Sequence, residues 1–426
     1  MSVSTTRNRL LAGEFDSSLK ALYGEASYNA QKIRYEKVLD VFESRYLTSE
    51  AVRFFSAPGR TEVCGNHTDH NRGKVMAAAV NLDVIAAAAK TDDGIVRVKS
   101  IEYPKEDVID ISYLRPVHSE MGHSQGLIRG IIRGFVDRGY TVGGFNAVTV
   151  TQVLSGSGIS SSAAFEVLIG TCLNYLYNDG KISPVEIAKI AQFAENEFFG
   201  KPSGLMDQMA SSVGGFVKID FKDTENPVIT PIDFDFSSCG HQLCIVDTKA
   251  SHADLTDEYG AIRTEMESCA KCFGHSALGD TDPSEVYSDI SRVRKNANDR
   301  AVLRAIHFFG ENERVEKEAA ALLSGDFEEF KRLVIESGQS SFMYNQNVYS
   351  SRNALSQPVS VALAISELVL KGRGAWRVHG GGFAGTIQAF VPNDLLETYK
   401  SEIEKVYGRG ACYVLSIRSA GGTEIL

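Results

Sequence analysis

Residues 153–168 read VLSGSGISSSAAFEVL, and this segment constrains the chain more than any other. A strand-like stretch ends, glycines open the backbone, and serines lead directly into a helix whose apolar residues recur at helical spacing. Glycines let backbone amides approach an anion closely, and a helix start supplies unpaired N–H donors. The segment therefore predicts a phosphate site, and a glycine turn followed by serine caps is the alternative. The candidate phosphate-binding residues are Gly156, Ser157, Gly158, Ser160, Ser161 and Ser162.

Two common nucleotide-binding motifs do not account for this segment. The chain has no GxxxxGK[ST] sequence, so an ordinary P-loop is not expected. A GxGxxG pattern occurs at Gly380, Gly382 and Gly385, but the residues after it, TIQAFV, read as a strand. A dinucleotide-binding fold needs a helix at that point, so this interpretation fails.

A second helix is predicted just downstream of the serine segment. Ser183 is an N-cap, Pro184 suits the first turn, and Glu186 completes a capping box. Gly200 suits the end of this helix. Glycine-punctuated strands mix with helices in both halves of the chain, which predicts an α+β fold.

A chain of 426 residues exceeds the size at which one core stops growing, so two domains are expected. We divide it into a helical extension at 1–50, an N-terminal domain at 51–225 and a C-terminal domain at 226–426. The net charge of −10 disfavours nucleic acid or a membrane surface as partner. The N-terminus has no apolar run typical of a secretory signal, and seven scattered cysteines suggest reduced thiols. We expect a cytoplasmic protein.

Three separated segments, in this order, resemble the GHMP kinase family, and within it the galactokinases. PGRTEVCGNHTDHNRGKV, which begins at Pro58, resembles the signature PGRVNLIGEHTDYNGGxV. The serine segment is followed by AENEFFGKPSGLMDQ, which resembles AExxxxGxxxGxMDQ, and VHGGGFAGTIQAF resembles the closing motif GGGFGGxxxAL. KASHADLTDEYGAIR and RAIHFFGENERV resemble two further family stretches. The match extends from about Phe54 nearly to the C-terminus.

The resemblance implies a two-domain GHMP kinase fold, with mixed sheet and helices in the N-terminal domain and antiparallel sheet and helices in the C-terminal domain. ATP and a sugar would bind between them. Ser161 and Glu195 would hold Mg²⁺. Asp207 matches the aspartate that lies beside the anomeric hydroxyl of the sugar, and Arg60 is the arginine that the family places nearby. A carboxylate kept ionised by arginine can accept the hydroxyl proton.

The resemblance also implies a sugar site. His67 and Asp69 match positions that contact sugar hydroxyls, and Tyr259 matches a sugar-contacting tyrosine. Gly381 and Gly382 would let the backbone approach the substrates. Asn66 stands where the family has a glutamate that binds the 6-hydroxyl of the sugar.

The chain departs from the family mainly at this sugar motif. Besides Asn66, Glu62 replaces an asparagine, His70 replaces a tyrosine and Arg72 replaces a glycine. A neutral Asn66 beside His70 and Arg72 would tolerate a carboxylate at C6 better than a glutamate would. Similarity over the whole chain implies phosphorylation of galactose to galactose 1-phosphate, and the neutral Asn66 makes galacturonate an alternative substrate. N-acetylgalactosamine is a third alternative, for which no single residue argues.

Two function classes compete with a kinase. His67, Asp69 and His70 could begin a zinc site, but no partner motif such as HExxH follows. A non-catalytic sugar sensor is the second, because a fold alone does not imply activity. The presence of Asp207, Arg60 and the serine segment favours catalysis.

Overall fold

The structure is a computed structural model that describes residues 3–25, 27–153, 158–201, 203–250 and 255–426. Its helices are α1 (Val3–Leu11), α2 (Asp16–Tyr23), α3 (Tyr28–Arg45), α4 (Ser124–Asp137), α5 (Ser161–Tyr177), α6 (Pro184–Ala194), α7 (Met206–Val213), α8 (Thr256–Cys272), α9 (Pro283–Ser288), α10 (Ile290–Asn296), α11 (Asp299–Leu323), α12 (Phe327–Ser340), α13 (Pro358–Leu370) and α14 (Leu396–Tyr407). Its strands are β1 (Arg53–Cys64), β2 (Lys74–Thr91), β3 (Ile95–Ser100), β4 (Asp107–Asp110), β5 (Gly144–Thr151), β6 (Phe216–Asp220), β7 (Val228–Ile232), β8 (His241–Asp247), β9 (Ala375–His379), β10 (Thr386–Pro392), β11 (Cys412–Leu415) and β12 (Thr423–Ile425).

The first sheet is mixed and runs in the order β12-β1-β2-β5-β3-β4, with β6 and β7 extending from β2. All of its pairs are antiparallel except β3 with β5. The second sheet is antiparallel in the order β11-β8-β10-β9. The predicted combination of a mixed sheet and an antiparallel sheet, each with helices, is confirmed.

Helices cover both faces of the first sheet. Successive side chains of a strand point to opposite faces of the sheet. Phe54 and Ile85 face α1–α3, whereas their neighbours Phe55 and Ala86 face α4–α6. Strands buried on both faces read as continuous apolar runs rather than alternating ones. This explains the two apolar runs of β2, at 75–80 and 84–89.

The two sheets do not follow the division at residue 225. Strand β7 begins at Val228 and belongs to the first sheet, and β12, at the very end of the chain, pairs with β1. Long-range strand pairing of this kind leaves no local mark in composition. The helices of the extension at 1–50 pack directly on the first sheet.

The predicted helix after Ser183 is present. The Ser183 hydroxyl accepts a hydrogen bond from the backbone N–H of Glu186 at 3.2 Å, and α6 begins at Pro184. After Ala194 the helix widens into a π-helical turn over Glu195–Phe199, and Gly200, with φ of 84°, ends it. The π turn occurs at Glu195, a candidate site residue, and such turns are frequent at functional sites.

A buried carboxylate joins the N-terminal helices to the sheet. Asp83 is fully buried, and its oxygens accept hydrogen bonds from Tyr23, Ser56, Arg34 at 2.9 Å and Arg418 at 3.0 Å. We expect Asp83→Asn to lower the free energy of unfolding by about 3 kcal/mol, because it leaves two arginines without their carboxylate. Chemical denaturation measures the loss.

The control for this substitution is Asp40→Asn, on the surface of α3. Asp40 pairs with Arg7 at 2.7 Å, but its side chain is 62% exposed. An exposed ion pair is worth at most about 1 kcal/mol. Equal losses in the two variants would contradict a special role for Asp83 in holding the extension.

In the part of the chain that the structure describes, no helix is both long and apolar enough to cross a membrane. All seven cysteines lie in the described ranges and are free thiols.

Candidate active site

The structure brings together Arg60, Ser160 and Asp207, which are far apart in sequence. Arg60 forms a two-pronged ion pair with Asp207, from Nε to Oδ1 at 2.7 Å and from Nη2 to Oδ2 at 2.8 Å. The Ser160 hydroxyl donates to Asp207 Oδ2 at 2.6 Å. The head of the serine segment and the candidate catalytic carboxylate therefore share one site.

Strand β1 positions Arg60 through a local irregularity. Its register against β2 shifts between Pro58 and Arg60. The backbone N–H of Arg60 donates to the Ile159 carbonyl at 3.0 Å, and a Cβ at Gly59 would lie only 2.8 Å from that carbonyl oxygen. Glycine thus permits the close approach of strand and serine segment. Arg60 Nη1 also donates to the Gly158 carbonyl, so this one guanidinium binds both the segment and Asp207.

The charge state of Asp207 follows from these contacts. Burial by itself would raise its pKa, but the charge and hydrogen bonds of Arg60, with the hydrogen bond from Ser160, outweigh that effect and lower the pKa below its ordinary value. The carboxylate is therefore ionised at neutral pH. Its side chain remains 30% exposed, so a substrate can reach it.

The serine segment leads into α5 as expected. Ser161 is the first residue of α5, and Ser160 precedes it with φ of 60°. Gly156 and Ser157 lie outside the described residues. Gly158 is described with φ of 75°, and a Cβ there would lie 2.6 Å from Thr386 Oγ1 of the second sheet. The segment therefore lies against both halves of the molecule.

Glu195 lies beside α5 and is only 2% exposed. Its Oε1 accepts from Lys201 at 3.0 Å and from Ser162 at 3.3 Å, and its Oε2 accepts from Ser203 at 2.6 Å. The resemblance pairs Glu195 with Ser161, whereas Ser162 is the serine of the segment whose hydroxyl contacts the carboxylate here. Carboxylate and hydroxyl oxygens suit Mg²⁺, which takes one or two carboxylates plus substrate phosphates.

Two residues next to Glu195, Gln208 and Glu166, were not predicted from the sequence. Gln208 donates to Glu195 Oε2 at 2.7 Å and to Glu166 Oε2 at 3.0 Å. Glu166 is fully buried, and its Oε1 has no hydrogen-bond partner among the described residues. Burial, aided by the charge of Glu195, raises the pKa of Glu166 well above its usual range. Gln208 directly follows Asp207 in the MDQ motif, which was the available signal.

A second group of candidate residues surrounds the backbone at 380–382. His67 Nε2 lies 2.9 Å from the Gly381 carbonyl oxygen, and the Tyr259 hydroxyl donates to the Gly382 carbonyl at 3.0 Å. Gly381 lies against the Tyr259 ring, where a Cβ would approach to 2.6 Å. The glycine run thus packs closely against a protein side chain, and its approach to the substrates stays a prediction.

Protonation within this group also follows from burial. Burial lowers the pKa of His67 to about 4, although the hydrogen bond to Gly381 opposes the shift. His67 is neutral at neutral pH, so its Nε2–H donates to the carbonyl. Burial raises the pKa of Tyr259 to about 12, which keeps its hydroxyl a donor.

Asp69 lies next to the segment that leads to α7. Its side chain is 15% exposed, and a Cβ at Gly204 would lie 2.5 Å from its Oδ2. His70 Nε2 is 3.7 Å from Asp69 Oδ1. Within the ranges that the structure describes, no group of three or more His, Cys, Asp or Glu side chains could hold a metal ion, so the geometry adds nothing to the zinc hypothesis.

Asn66 has a different environment from the one expected for a sugar contact. It is fully buried, and its Nδ2 donates to Glu62 at 2.8 Å and to the Gly380 carbonyl at 2.7 Å. Its Oδ1 accepts from Asn347 at 2.7 Å. Both ends of the amide are therefore engaged by the protein, and the argument that Asn66 itself accommodates a C6 carboxylate loses its structural basis. Arg72, its supposed helper, pairs with Asp280 at 2.6 Å.

His379, which directly precedes the glycine run, contacts β1 next to Arg60 and was not predicted. It is buried at the end of β9, where Nε2 accepts from the Glu62 N–H at 3.2 Å and lies 3.1 Å from Thr61 Oγ1. Burial, reinforced by the charge of Arg60, lowers its pKa well below the usual range. Its place in VHGGGF was the only sequence signal.

Two family descriptions match the chain. The galactokinase galactose-binding signature matches residues 40–90, and the GHMP kinase N-terminal domain matches residues 126–215. Together they cover β1, the sugar motif, the serine segment and α7.

Curated relatives match over most of the length of the chain. A galactokinase from Actinobacillus pleuropneumoniae serotype 3 is 31% identical over 368 residues, which are 86% of this chain and 92% of the relative. A galactokinase from Streptomyces coelicolor is 31% identical over 83% of this chain and 88% of its own length.

Solved structures share the fold. Lactococcus lactis galactokinase complexed with galactose superposes with a TM-score of 0.76, at 23% identity, over 92% of this chain and all of that chain. Methanococcus jannaschii mevalonate kinase reaches a TM-score of 0.62 at 13% identity, over 87% of this chain and 99% of that chain. With the curated relatives and the two family matches, these similarities show that the chain belongs to the galactokinase family of GHMP kinases.

Proposed function

We propose that this protein is a galactokinase that transfers the γ-phosphoryl group of Mg·ATP to the anomeric hydroxyl of galactose, giving galactose 1-phosphate and ADP. The observation that supports it most is the contact of Asp207 with both Arg60 and Ser160. A proton-accepting carboxylate thus lies at the helix start that suits phosphate oxygens. Membership of the galactokinase family supports this reaction, and the positions of Asp207, Arg60 and Ser160 support their roles in it.

Each residue has a separate task in the proposed reaction. Asp207 accepts the proton of the sugar hydroxyl as the oxygen attacks the γ-phosphorus and the bond to ADP breaks. Arg60 keeps Asp207 ionised and fixes its orientation through two hydrogen bonds. The N-terminus of α5, with Ser160, Ser161 and Ser162, binds phosphate oxygens. Phosphoryl transfer depends chiefly on such positioning and charge stabilisation.

Glu195, together with Ser161 or Ser162, would hold Mg²⁺. The bound ion would neutralise charge on the phosphates. Gln208 keeps the Glu195 carboxylate in place from the side opposite Ser162, through its hydrogen bond at 2.7 Å. His67, Asp69 and Tyr259, with the backbone of Gly381 and Gly382, are the proposed sugar contacts.

The experiment that tests this function is a panel of galactose, galacturonate and N-acetylgalactosamine with Mg·ATP. We expect the highest kcat/KM with galactose, measured by ADP release, and a 1-phosphate product by ³¹P NMR. Activity should disappear without Mg²⁺ and survive a zinc-selective chelator. A higher kcat/KM with either of the other sugars would show that the acceptor is wrong while the kinase chemistry stands. Tight sugar binding without turnover of any of them would indicate a sensor.

A further inference from the structure

A buried polar network crosses from β1 to the second sheet beneath the sugar contacts. Glu62 is 5% exposed and Arg377 is fully buried, and the Arg377 guanidinium donates to Glu62 Oε1 at 3.0 Å. The same oxygen accepts from Asn66 Nδ2 at 2.8 Å. Arg377 also donates to the Val63 carbonyl. One carboxylate, one amide and one guanidinium thus form a connected unit away from solvent.

Asn66 connects this unit to the glycine run at 380–382. Its Nδ2 donates to the Gly380 carbonyl at 2.7 Å, and its Oδ1 accepts from Asn347 Nδ2 at 2.7 Å. Asn347 in turn lies 3.1 Å from the Gly381 carbonyl oxygen and accepts a backbone hydrogen bond from Phe383. Asn66 therefore holds the run on two sides, directly and through Asn347.

The two positions that contact each other here are also two positions at which the sequence departs from the signature. The signature has asparagine where this chain has Glu62, and glutamate where this chain has Asn66. In the structure these two side chains are hydrogen-bonded partners. The pair keeps one carboxylate and one amide, with their places exchanged. Glu62 forms the ion pair with Arg377 at 3.0 Å, and removing the partner of a buried guanidinium is strongly destabilising.

We propose that Glu62 and Asn66 act as one exchanged pair, in which Glu62 neutralises Arg377 and Asn66 is a positioning residue that orients the backbone at 380–382. The assignment of this backbone to the sugar rests on the proposed function. Asn66 acts through the glycine run and its neighbours His67 and Tyr259 rather than by touching the acceptor. Its loss should raise KM for the sugar and leave KM for ATP nearly unchanged.

The test is a double-mutant cycle with Glu62→Asn, Asn66→Glu and the exchanged double variant. Glu62→Asn leaves Arg377 unpaired, and Asn66→Glu brings two buried carboxylates together. Each single change should therefore lower the melting temperature by several degrees. The double variant restores one carboxylate and one amide. We expect it to recover part of the lost melting temperature, as a non-additive coupling between the two positions. The kcat/KM for galactose should stay reduced, because a carboxylate at position 66 cannot donate to the Gly380 carbonyl.

Two further variants separate positioning from stability. Asn66→Ala should raise the KM for galactose about tenfold with kcat changed less, because the glycine run loses its direct donor. Asn347→Ala should do the same through the other connection. The surface control is Glu14→Asn, whose partner is Arg9 and whose side chain is 52% exposed; its melting temperature and KM should not change.

Several outcomes would overturn the proposal. Additive effects in the cycle would show that the two positions are independent. An unchanged KM for galactose in Asn66→Ala would show that Asn66 does not position the site. The melting-temperature cycle needs no substrate, so it tests the pair even if the wild-type protein phosphorylates no sugar, which would instead refute the proposed function.

Discussion

Replacing Asp207 with asparagine is expected to lower kcat by about 10³-fold, within the range that a positioned proton acceptor contributes. Asparagine keeps the size of the side chain but cannot take the proton of the sugar hydroxyl. It also loses the two-pronged ion pair with Arg60, at 2.7 and 2.8 Å. The affinity for ATP should stay within about twofold, because the proposed role of Asp207 is to contact the acceptor and not the nucleotide. Rapid-quench kinetics and calorimetry measure the two effects.

A matched control lies on the surface of α4. Asp137 pairs with Arg133 at 2.7 Å, and its side chain is 39% exposed, so Asp137→Asn removes an aspartate–arginine pair away from the site. Turnover should be unchanged in this variant. If Asp207→Asn turned over at the wild-type rate, as Asp137→Asn is expected to do, Asp207 would not be the proton acceptor.

Arg60→Met is expected to reduce kcat/KM at neutral pH by about 10²-fold and to move its acid limb to higher pH. In the wild-type protein the effect of Arg60 on the pKa of Asp207 is larger than the opposing effect of burial. The pKa therefore lies below the ordinary value for aspartate, which is about 4. Without the guanidinium, burial dominates and the pKa rises. The carboxylate is then protonated, and activity is lost, as the pH falls through this higher value. The pH dependence of kcat/KM measures the shift.

Arg60→Lys separates charge from geometry. Lysine keeps a positive charge near Asp207, so the acid limb should stay closer to that of the wild type. It cannot make the planar pair of hydrogen bonds or reach the Gly158 carbonyl at the same time, so kcat should still fall. An acid limb that does not move in Arg60→Met would mean that Arg60 does not set the ionisation of Asp207.

Local features of the fold could be read from the sequence because each lies within a few residues of its cause. The N-cap at Ser183, the proline after it and the glycine at 200 defined a helix whose bounds the structure reproduces. The serine segment before α5 was likewise visible, since a helix start is a local arrangement of donors. The motifs also predicted that Arg60 lies near Asp207, and the two side chains form an ion pair. The contact of Ser160 with Asp207 was not predicted.

Contacts between distant segments decided what the sequence could not. Strands β7 and β12 join the first sheet across the division drawn at residue 225, because strand pairing depends on backbone hydrogen bonds that carry no residue signature. Gln208 and His379 gain their roles only from the neighbours that folding brings to them.

Asn66 shows the difference most clearly. Its place in the motif implied a side chain facing the sugar, and only the packing of β1 against the second sheet revealed that it is buried between Glu62 and the Gly380 carbonyl. The sequence by itself determined the family, the helix start that suits phosphate and the identity of the proposed proton acceptor. The tertiary structure decided which polar side chains remain open to a substrate, because burial and hydrogen-bond partners are properties of the whole fold.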